Sequence, residues 1–93
     1  MGRLLENIVA VELMRRKEPS LNYYRNGFEC DFITKNNSIQ VCYTINDKNK
    51  KREINGLIEA VKRFGNSPIL ITYDQETEID GVMVIPIWKW LLQ

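Results

Sequence analysis

The sequence predicts an α/β (α+β) domain in which helices cover the faces of one β-sheet, and three observations support this. Two segments with apolar residues at helical spacing flank a central run of alternating residues. Two dipeptides in that run, Asn26-Gly27 and Asn36-Asn37, are typical of tight hairpin turns. The apolar run Pro68 to Tyr73 is typical of a buried strand. The predicted order is helix, three-stranded antiparallel meander, helix and strand, then a short strand and a terminal helical turn.

Composition indicates one small globular domain over residues 1–93. Hydrophobic residues make up 44% of the chain and charged residues 27%, which is enough for a single core. The net charge of +1 provides no overall attraction to nucleic acid or to an anionic membrane. Because no apolar run approaches the roughly 20 residues that cross a bilayer and no signal peptide is visible, we expect a cytoplasmic protein without a membrane partner. The absence of histidine excludes histidine-based acid/base catalysis and most zinc sites.

The first helix is predicted over residues 3–16, where apolar residues recur at steps of three and four. Arg15 and Arg16 stand in its last turn, where cations suit the helix dipole. The helix begins almost at the first residue without a recognisable capping residue, which suggests that sequence has been removed upstream. Pro19 ends the helical segment before the meander begins.

The meander is predicted over residues 22–45, and its register follows if both turns are two-residue loops. The predicted facing pairs are Arg25–Phe28, Tyr23–Cys30, Thr34–Ile39, Phe32–Val41 and Asp31–Cys42. One side of the sheet would then be apolar, with Leu21, Tyr23, Phe28, Cys30, Phe32, Ile39, Val41, Tyr43 and Ile45. The other side would be polar, with Asn22, Tyr24, Glu29, Asp31, Ile33, Gln40, Cys42 and Thr44. Since Cys30 and Cys42 would project from opposite sides, no disulfide between them is expected.

The second helix is predicted within residues 46–65, with Gly65 as its C-terminal stop. Its apolar stripe is expected to cover the apolar side of the meander, and the strand that follows would join the same sheet through a crossover. The remaining elements are an acidic turn at residues 74–81, a short strand at residues 82–86 and the helical turn at residues 87–92.

The polar side of the meander carries the candidate chemical site. Metal-dependent phosphodiesterases hold Mg²⁺ between an acid on one strand and, on the next strand, an acid followed two residues later by a lysine. Asp31, Gln40 and Cys42 occupy those places in this chain. Gln40 offers a neutral oxygen and Cys42 offers no ammonium, so the geometry is present and most of the chemistry is absent. A working hydrolytic site, a vestigial site and a purely structural set of side chains all remain open.

Two further groups of charged residues are candidates. Glu6, near the apolar stripe of the first helix, could add a metal ligand beside Asp31 or could simply interact with the helix dipole. A basic run at the start of the second helix could contact nucleic-acid phosphates or could form a solvated face. This run contains Lys48, Lys50, Lys51 and Arg52.

Several segments taken together resemble a known domain. These are GRLLENIVAVEL, ECDF, IQVCY, TYD and VIPIWKWLL, and they cover essentially the whole chain. They resemble the C-terminal domain of uncharacterised archaeal and bacterial AAA-type ATPases, a domain similar to the PD-(D/E)XK restriction-endonuclease-like fold. The resemblance implies that Asp31 matches the motif aspartate, Gln40 the second acid, Cys42 the lysine and Glu6 the helix glutamate.

The resemblance implies a catalytically degenerate nuclease-fold domain that acts as an accessory or interaction module. Its partner would be an ATPase domain of the same or a neighbouring chain, and no cofactor is expected. One alternative is a working Mg²⁺- or Mn²⁺-dependent DNA endonuclease in which Glu6, Asp31 and Gln40 hold the metal. The other is an oligomerisation domain without a ligand, and a free sheet edge would permit a homodimer.

Overall fold

The computed structural model describes residues 2–93, which form three helices and one six-stranded mixed sheet. Met1, the first residue of the predicted domain, lies outside the described residues. The helices are α1 (Gly2–Arg15), α2 (Lys50–Phe64) and α3 (Ile87–Leu91). The strands are β1 (Leu21–Arg25), β2 (Phe28–Ile33), β3 (Asn37–Val41), β4 (Ser67–Thr72), β5 (Thr77–Ile79) and β6 (Val82–Pro86). Their order across the sheet is β1-β2-β3-β4-β6-β5, and the α+β prediction is confirmed.

The sheet joins an antiparallel half to a parallel half. β1, β2 and β3 form the predicted antiparallel meander, and α2 crosses over to β4, which runs parallel to β3. β6 then runs parallel to β4. The predicted turn at residues 74–81 was incomplete, because Thr77–Ile79 forms an edge strand antiparallel to β6. Asp80 and Gly81, both with positive φ, close this hairpin, and Asp-Gly was the available sequence signal.

The two faces of the sheet are both covered, one by α1 and α3 and the other by α2. The α1-side core contains Leu5, Val9, Leu13, Ile39, Val41, Ile69, Ile71, Ile85, Ile87 and Trp90. The α2-side core contains Cys30, Ile33, Cys42, Ile45, Ile54, Leu57, Ala60, Leu70, Val82 and Val84. The prediction that α2 covers the side of Ile39 and Val41 was therefore wrong, because α2 packs against the side that was expected to be polar.

The first hairpin has the predicted register. Asn26 and Gly27 have φ values of 54° and 81°, the left-handed conformation that a type I′ turn requires at both positions. Tyr23 faces Cys30 and Arg25 faces Phe28, so these two predicted pairs are confirmed.

The second hairpin turns one residue earlier than predicted. The backbone N–H of Thr34 donates to the carbonyl of Asn37 at 2.8 Å, which makes Lys35 and Asn36 the loop residues. The Thr34 hydroxyl also accepts the Asn37 N–H at 3.1 Å, and no loop residue has a positive φ that would need asparagine. The predicted pairs Thr34–Ile39, Phe32–Val41 and Asp31–Cys42 were thus wrong, and Phe32–Ile39 and Ile33–Ser38 are seen instead.

A bulge in β2 changes which residues face α2. Leu21 lies opposite Ile33 and Tyr23 lies opposite Cys30, so two steps along β1 match three steps along β2. The extra residue interrupts the alternation of side chains, and Cys30 joins Cys42 in the α2-side core. The prediction that the two cysteines project from opposite sides was wrong. Both thiols are nevertheless free, as expected.

The C-terminal ends of α2 and α1 are each stabilised by specific contacts. Gly65 adopts a left-handed conformation after α2, with φ of 67°, and its N–H donates to the carbonyl of Val61. Glu12 accepts hydrogen bonds from Arg15 and Arg16, which lower its pKa to about 2. Arg16 also lies 4.5 Å above the Trp90 ring and donates to the Trp90 carbonyl, so the Glu12–Arg16 ion pair connects α1 to α3.

Within residues 2–93, no helix has the length and apolar character that a bilayer crossing requires.

Candidate functional site

Two side chains bridge β2 and β3 at the centre of the predicted site. The strands face each other at Phe32–Ile39, and beyond that pair side chains replace part of the backbone ladder. Gln40 accepts the Asp31 N–H through Oε1 at 2.9 Å and donates Nε2–H to the Glu29 carbonyl at 2.8 Å. Asp31 accepts the Val41 N–H through Oδ2 at 2.8 Å. Each side chain therefore satisfies backbone groups of the opposite strand.

An open acidic pocket of about 250 Å³ lies at this bridge. It receives carboxylates from α1, β2 and α2, together with the Gln40 amide. Three of the four residues predicted for the vestigial site, Asp31, Gln40 and Glu6, thus meet in one place, although they are far apart in sequence. The full lining is Glu6, Tyr24, Gly27, Glu29, Asp31, Gln40, Val41, Arg52 and Glu53.

Cys42, the fourth predicted site residue, is absent from the pocket lining that residues 2–93 provide. It is buried in the α2-side core, where burial, together with the charges of Glu53 and Asp31, raises the pKa of its thiol to about 12. The thiol is therefore neutral at physiological pH. The position that matches a catalytic lysine in the resembling domain contributes to packing here.

The predicted basic run divides at the start of α2. Lys48, Lys50 and Lys51 are exposed, and the last two line a separate groove with Asp80. Arg52 alone reaches the acidic pocket, where its guanidinium lies 3.1 Å from a carboxylate oxygen of Glu53. The run therefore does not form one surface directed at the site.

Glu53 is the site residue that sequence analysis missed. It is buried between α2 and the sheet, and this burial raises its pKa, while its ion pair with Arg52 acts in the opposite direction. The available signal was its spacing, because Glu53, Leu57 and Ala60 follow each other at steps of four and three. An acid on the apolar stripe of a helix is a candidate for a buried polar site.

Burial also raises the pKa of Asp31 to about 7, since the carboxyl is largely removed from water. The hydrogen bond from Val41 opposes this shift, and the nearby carboxylates of Glu6 and Glu53 add to it. Asp31 consequently exchanges a proton near neutral pH, whereas an exposed aspartate is fully ionised there.

The residues of the pocket do not fit the divalent cation that the resemblance implies. Of the two strand residues expected to bind it, Asp31 accepts a backbone N–H through Oδ2, and Gln40 accepts one through Oε1 and carries no charge. Glu53 is paired with Arg52. Within residues 2–93, no three acidic, thiol or imidazole side chains converge closely enough to hold a metal ion. Mg²⁺ sheds its water only for strong oxygen ligands, and those oxygens stabilise the strand bridge instead.

Replacing Asp31 with asparagine is expected to flatten the pH dependence of stability between about pH 4 and pH 7. The folded-state pKa of about 7 lies above the ordinary value of 3.8, so the folded protein holds a proton that the unfolded chain releases over this range. The stabilising contribution is complete below the ordinary pKa and is lost as the pH rises through the folded-state pKa. Glu53 acts in the same direction, so the slope decreases without vanishing.

Urea unfolding of wild type and Asp31→Asn at a series of pH values measures this slope. The side-chain amide of the variant retains an oxygen that can accept the Val41 N–H, so the substitution removes the charge and preserves the bond geometry. Asp47→Asn, the same change at an exposed loop residue, is the control and should follow the wild-type profile. Identical profiles for wild type and Asp31→Asn would contradict the assignment.

Comparison with known proteins places similar sequences inside longer polypeptides. An uncharacterized protein of Methanocaldococcus jannaschii is 37% identical over 109 aligned residues that cover 98% of this chain. An uncharacterized protein of Haemophilus influenzae is 33% identical over 93 residues that cover 96% of it. No protein-family model and no solved structure matches the chain. The chain spans about a quarter of the length of each relative, 25% and 23% respectively.

Proposed function

We propose that the chain is a catalytically degenerate domain of the restriction-endonuclease-like fold that serves as an accessory or interaction domain of an AAA-type ATPase. The observation that carries the proposal is the strand bridge, in which Asp31 and Gln40 bind backbone groups of the opposite strand. The order of helix, antiparallel meander, crossover helix and parallel strand supports the fold assignment. The sequence resemblance supports the connection to an ATPase.

The bridge supports degeneracy because it gives structural hydrogen bonds to the two side chains at the positions where catalysis would need metal ligands. A hydrolytic site of this type requires two free carboxylates and an ammonium close to the scissile phosphate. Here one carboxylate and one amide complete the hydrogen bonding between two strands, and the third position is a neutral core thiol. Residues with a structural role of this kind stabilise the fold of an interaction domain and do not catalyse a reaction.

A working Mg²⁺- or Mn²⁺-dependent DNA endonuclease is the second candidate. The observation that favours it is the set of four carboxylates from three elements that line one pocket, namely Glu6, Glu29, Asp31 and Glu53. Metal binding would then have to displace the Val41 N–H from Asp31, or use the remaining oxygens of these acids. This candidate and the degenerate domain predict opposite results in a nicking assay.

We expect no Mn²⁺-dependent nicking of supercoiled plasmid by the wild-type protein, even at high protein concentration. Gel electrophoresis of the plasmid after incubation with Mn²⁺ measures this, and Asp31→Ala identifies any contaminating nuclease. Nicking that is present in wild type and lost in Asp31→Ala would establish the endonuclease and overturn degeneracy.

The ATPase assignment is tested separately on the intact M. jannaschii relative, which is expected to hydrolyse ATP. A failure to hydrolyse ATP would contradict that assignment.

A further inference from the structure

α1 has apolar side chains on the side that faces away from the sheet as well as on the buried side. The buried side contributes Leu5, Val9 and Leu13 to the α1-side core. On the opposite side, Leu4, Val11 and Met14 are 55%, 65% and 76% exposed. Leu91 of α3, 37% exposed, lines a groove with Val11 and extends this apolar area, and Leu92, 80% exposed, follows it in the chain. We call Leu4, Ile8, Val11, Met14, Leu91 and Leu92 the α1–α3 surface.

The outer side of α2 shows what a solvated helix looks like in the same protein. Its exposed positions include Lys51, Arg52, Lys62 and Arg63, and the exposed large apolar residues among them are Ile58 and, at the end of the helix, Phe64. Water favours a polar outer face on a helix that packs on one side only. α1 has polar residues at Arg3, Asn7 and Arg15, yet Leu4, Val11 and Met14 leave three large apolar side chains exposed on its outer side. A shallow apolar groove lies between Val11 and Leu91, so this surface is not flat.

We infer that the α1–α3 surface docks onto the part of a longer polypeptide that this chain does not cover, an inference that rests on the proposed role as an interaction domain. About three quarters of the length of each relative lies outside the aligned segment. The surface to be covered is mainly apolar, with Asn7 within it, and it is flanked by the exposed side chains of Arg3 and of Arg15, which is hydrogen-bonded to Glu12. The complementary partner is thus a folded domain that presents an apolar helix face with carboxylates at its rim.

A second copy of this chain fits the α1–α3 surface less well. In a two-fold symmetric pair of antiparallel α1 helices that cross at residue 9, near the middle of α1, residue 3 of one copy lies near residue 15 of the other, because both are six positions from residue 9. Arg3 would then face Arg15 at each end of the contact, and like charges at an interface oppose association. The charge pattern therefore favours a different partner domain.

The test uses the intact M. jannaschii relative with its aligned segment replaced by this chain and with protease sites at the junctions. After cleavage, the chain is expected to remain bound to the rest of the protein in size-exclusion chromatography. Val11→Glu combined with Met14→Lys should raise the Kd of the cleaved pieces at least about tenfold, since it places charges in the docked surface. Ile58→Lys, on the exposed side of α2, is the matched control and should not release the chain.

Both changed positions are exposed, so urea unfolding of the isolated double variant should match wild type, which separates release from unfolding. Retention of wild type with release of the double variant supports the inference. Retention of both overturns the docking surface and leaves the proposed interaction role standing. Release of the wild-type chain after cleavage overturns both the docking surface and the proposed interaction role. Sedimentation velocity of the isolated chain tests for a homodimer. A wild-type dimer that is lost in the double variant would show that the partner is a second copy of this chain and would overturn the inferred partner domain.

Discussion

Gly56→Ala is expected to lower the free energy of unfolding by about 3 kcal/mol, because α2 lies against β2 with no space for a methyl group. A Cβ at position 56 would overlap the carbonyl oxygen of Glu29 and would lie 3.0 Å from Gln40 Nε2. These two atoms are hydrogen-bonded to each other at 2.8 Å, so neither can move without weakening the strand bridge. The greater helix propensity of alanine, about 1 kcal/mol, offsets part of the loss.

Urea unfolding monitored by far-ultraviolet circular dichroism measures this loss. Gly2→Ala is the matched control, since Gly2 also lies in a helix and a Cβ there meets nothing within 4 Å. Its stability should stay within about 0.5 kcal/mol of wild type. Equal stabilities for the two glycine variants would show that α2 can move away from β2 at little cost, contrary to the packing described above.

The sequence predicted the order of elements because each depends on local signals. Helical spacing located α1 and α2, Asn26-Gly27 located the first hairpin, and Gly65 located the end of α2. β3 was harder to interpret, because a central strand is buried on both faces and its two sets of side chains need not differ in polarity. For this reason the side of β3 that bears Gln40 was predicted to be a polar face, although α2 in fact covers it.

The residues of the pocket were partly predictable, but their hydrogen-bond partners were not. Asp31 and Gln40 were expected on adjacent strands, and they are there. Both bind backbone groups, however, and no residue type identifies a backbone partner in a sequence. The bulge in β2 and the close approach of Gly56 also depend on contacts between distant segments. Glu53 was missed because the charged residues before it dominate that stretch of the sequence.

Gln40→Met is expected to lower the free energy of unfolding by about 3 kcal/mol, because it removes the amide of the strand bridge. The Gln40 side chain is 4% exposed, and it pairs with the Asp31 N–H and with the Glu29 carbonyl. Methionine has a similar length and no hydrogen-bonding amide, so both backbone groups would lose their partner. Gly56 packs against the Glu29 carbonyl, so α2 restricts the approach of water to this group on one side, and the acidic pocket borders the bridge on the other.

Gln75→Met is the matched control, because Gln75 makes the same pair of bonds to a different backbone site. Its Oε1 accepts the Ile45 N–H at 2.7 Å and its Nε2 donates to the Ile45 carbonyl at 3.0 Å. Gln75 is only half-buried, so water can take over these bonds and the loss should be about 1 kcal/mol. Urea unfolding of the two variants compares the losses, and hydrogen exchange at the Asp31 amide should quicken only in Gln40→Met. Equal losses would mean that the bridge is open to solvent and that Gln40 and Asp31 are free for another role.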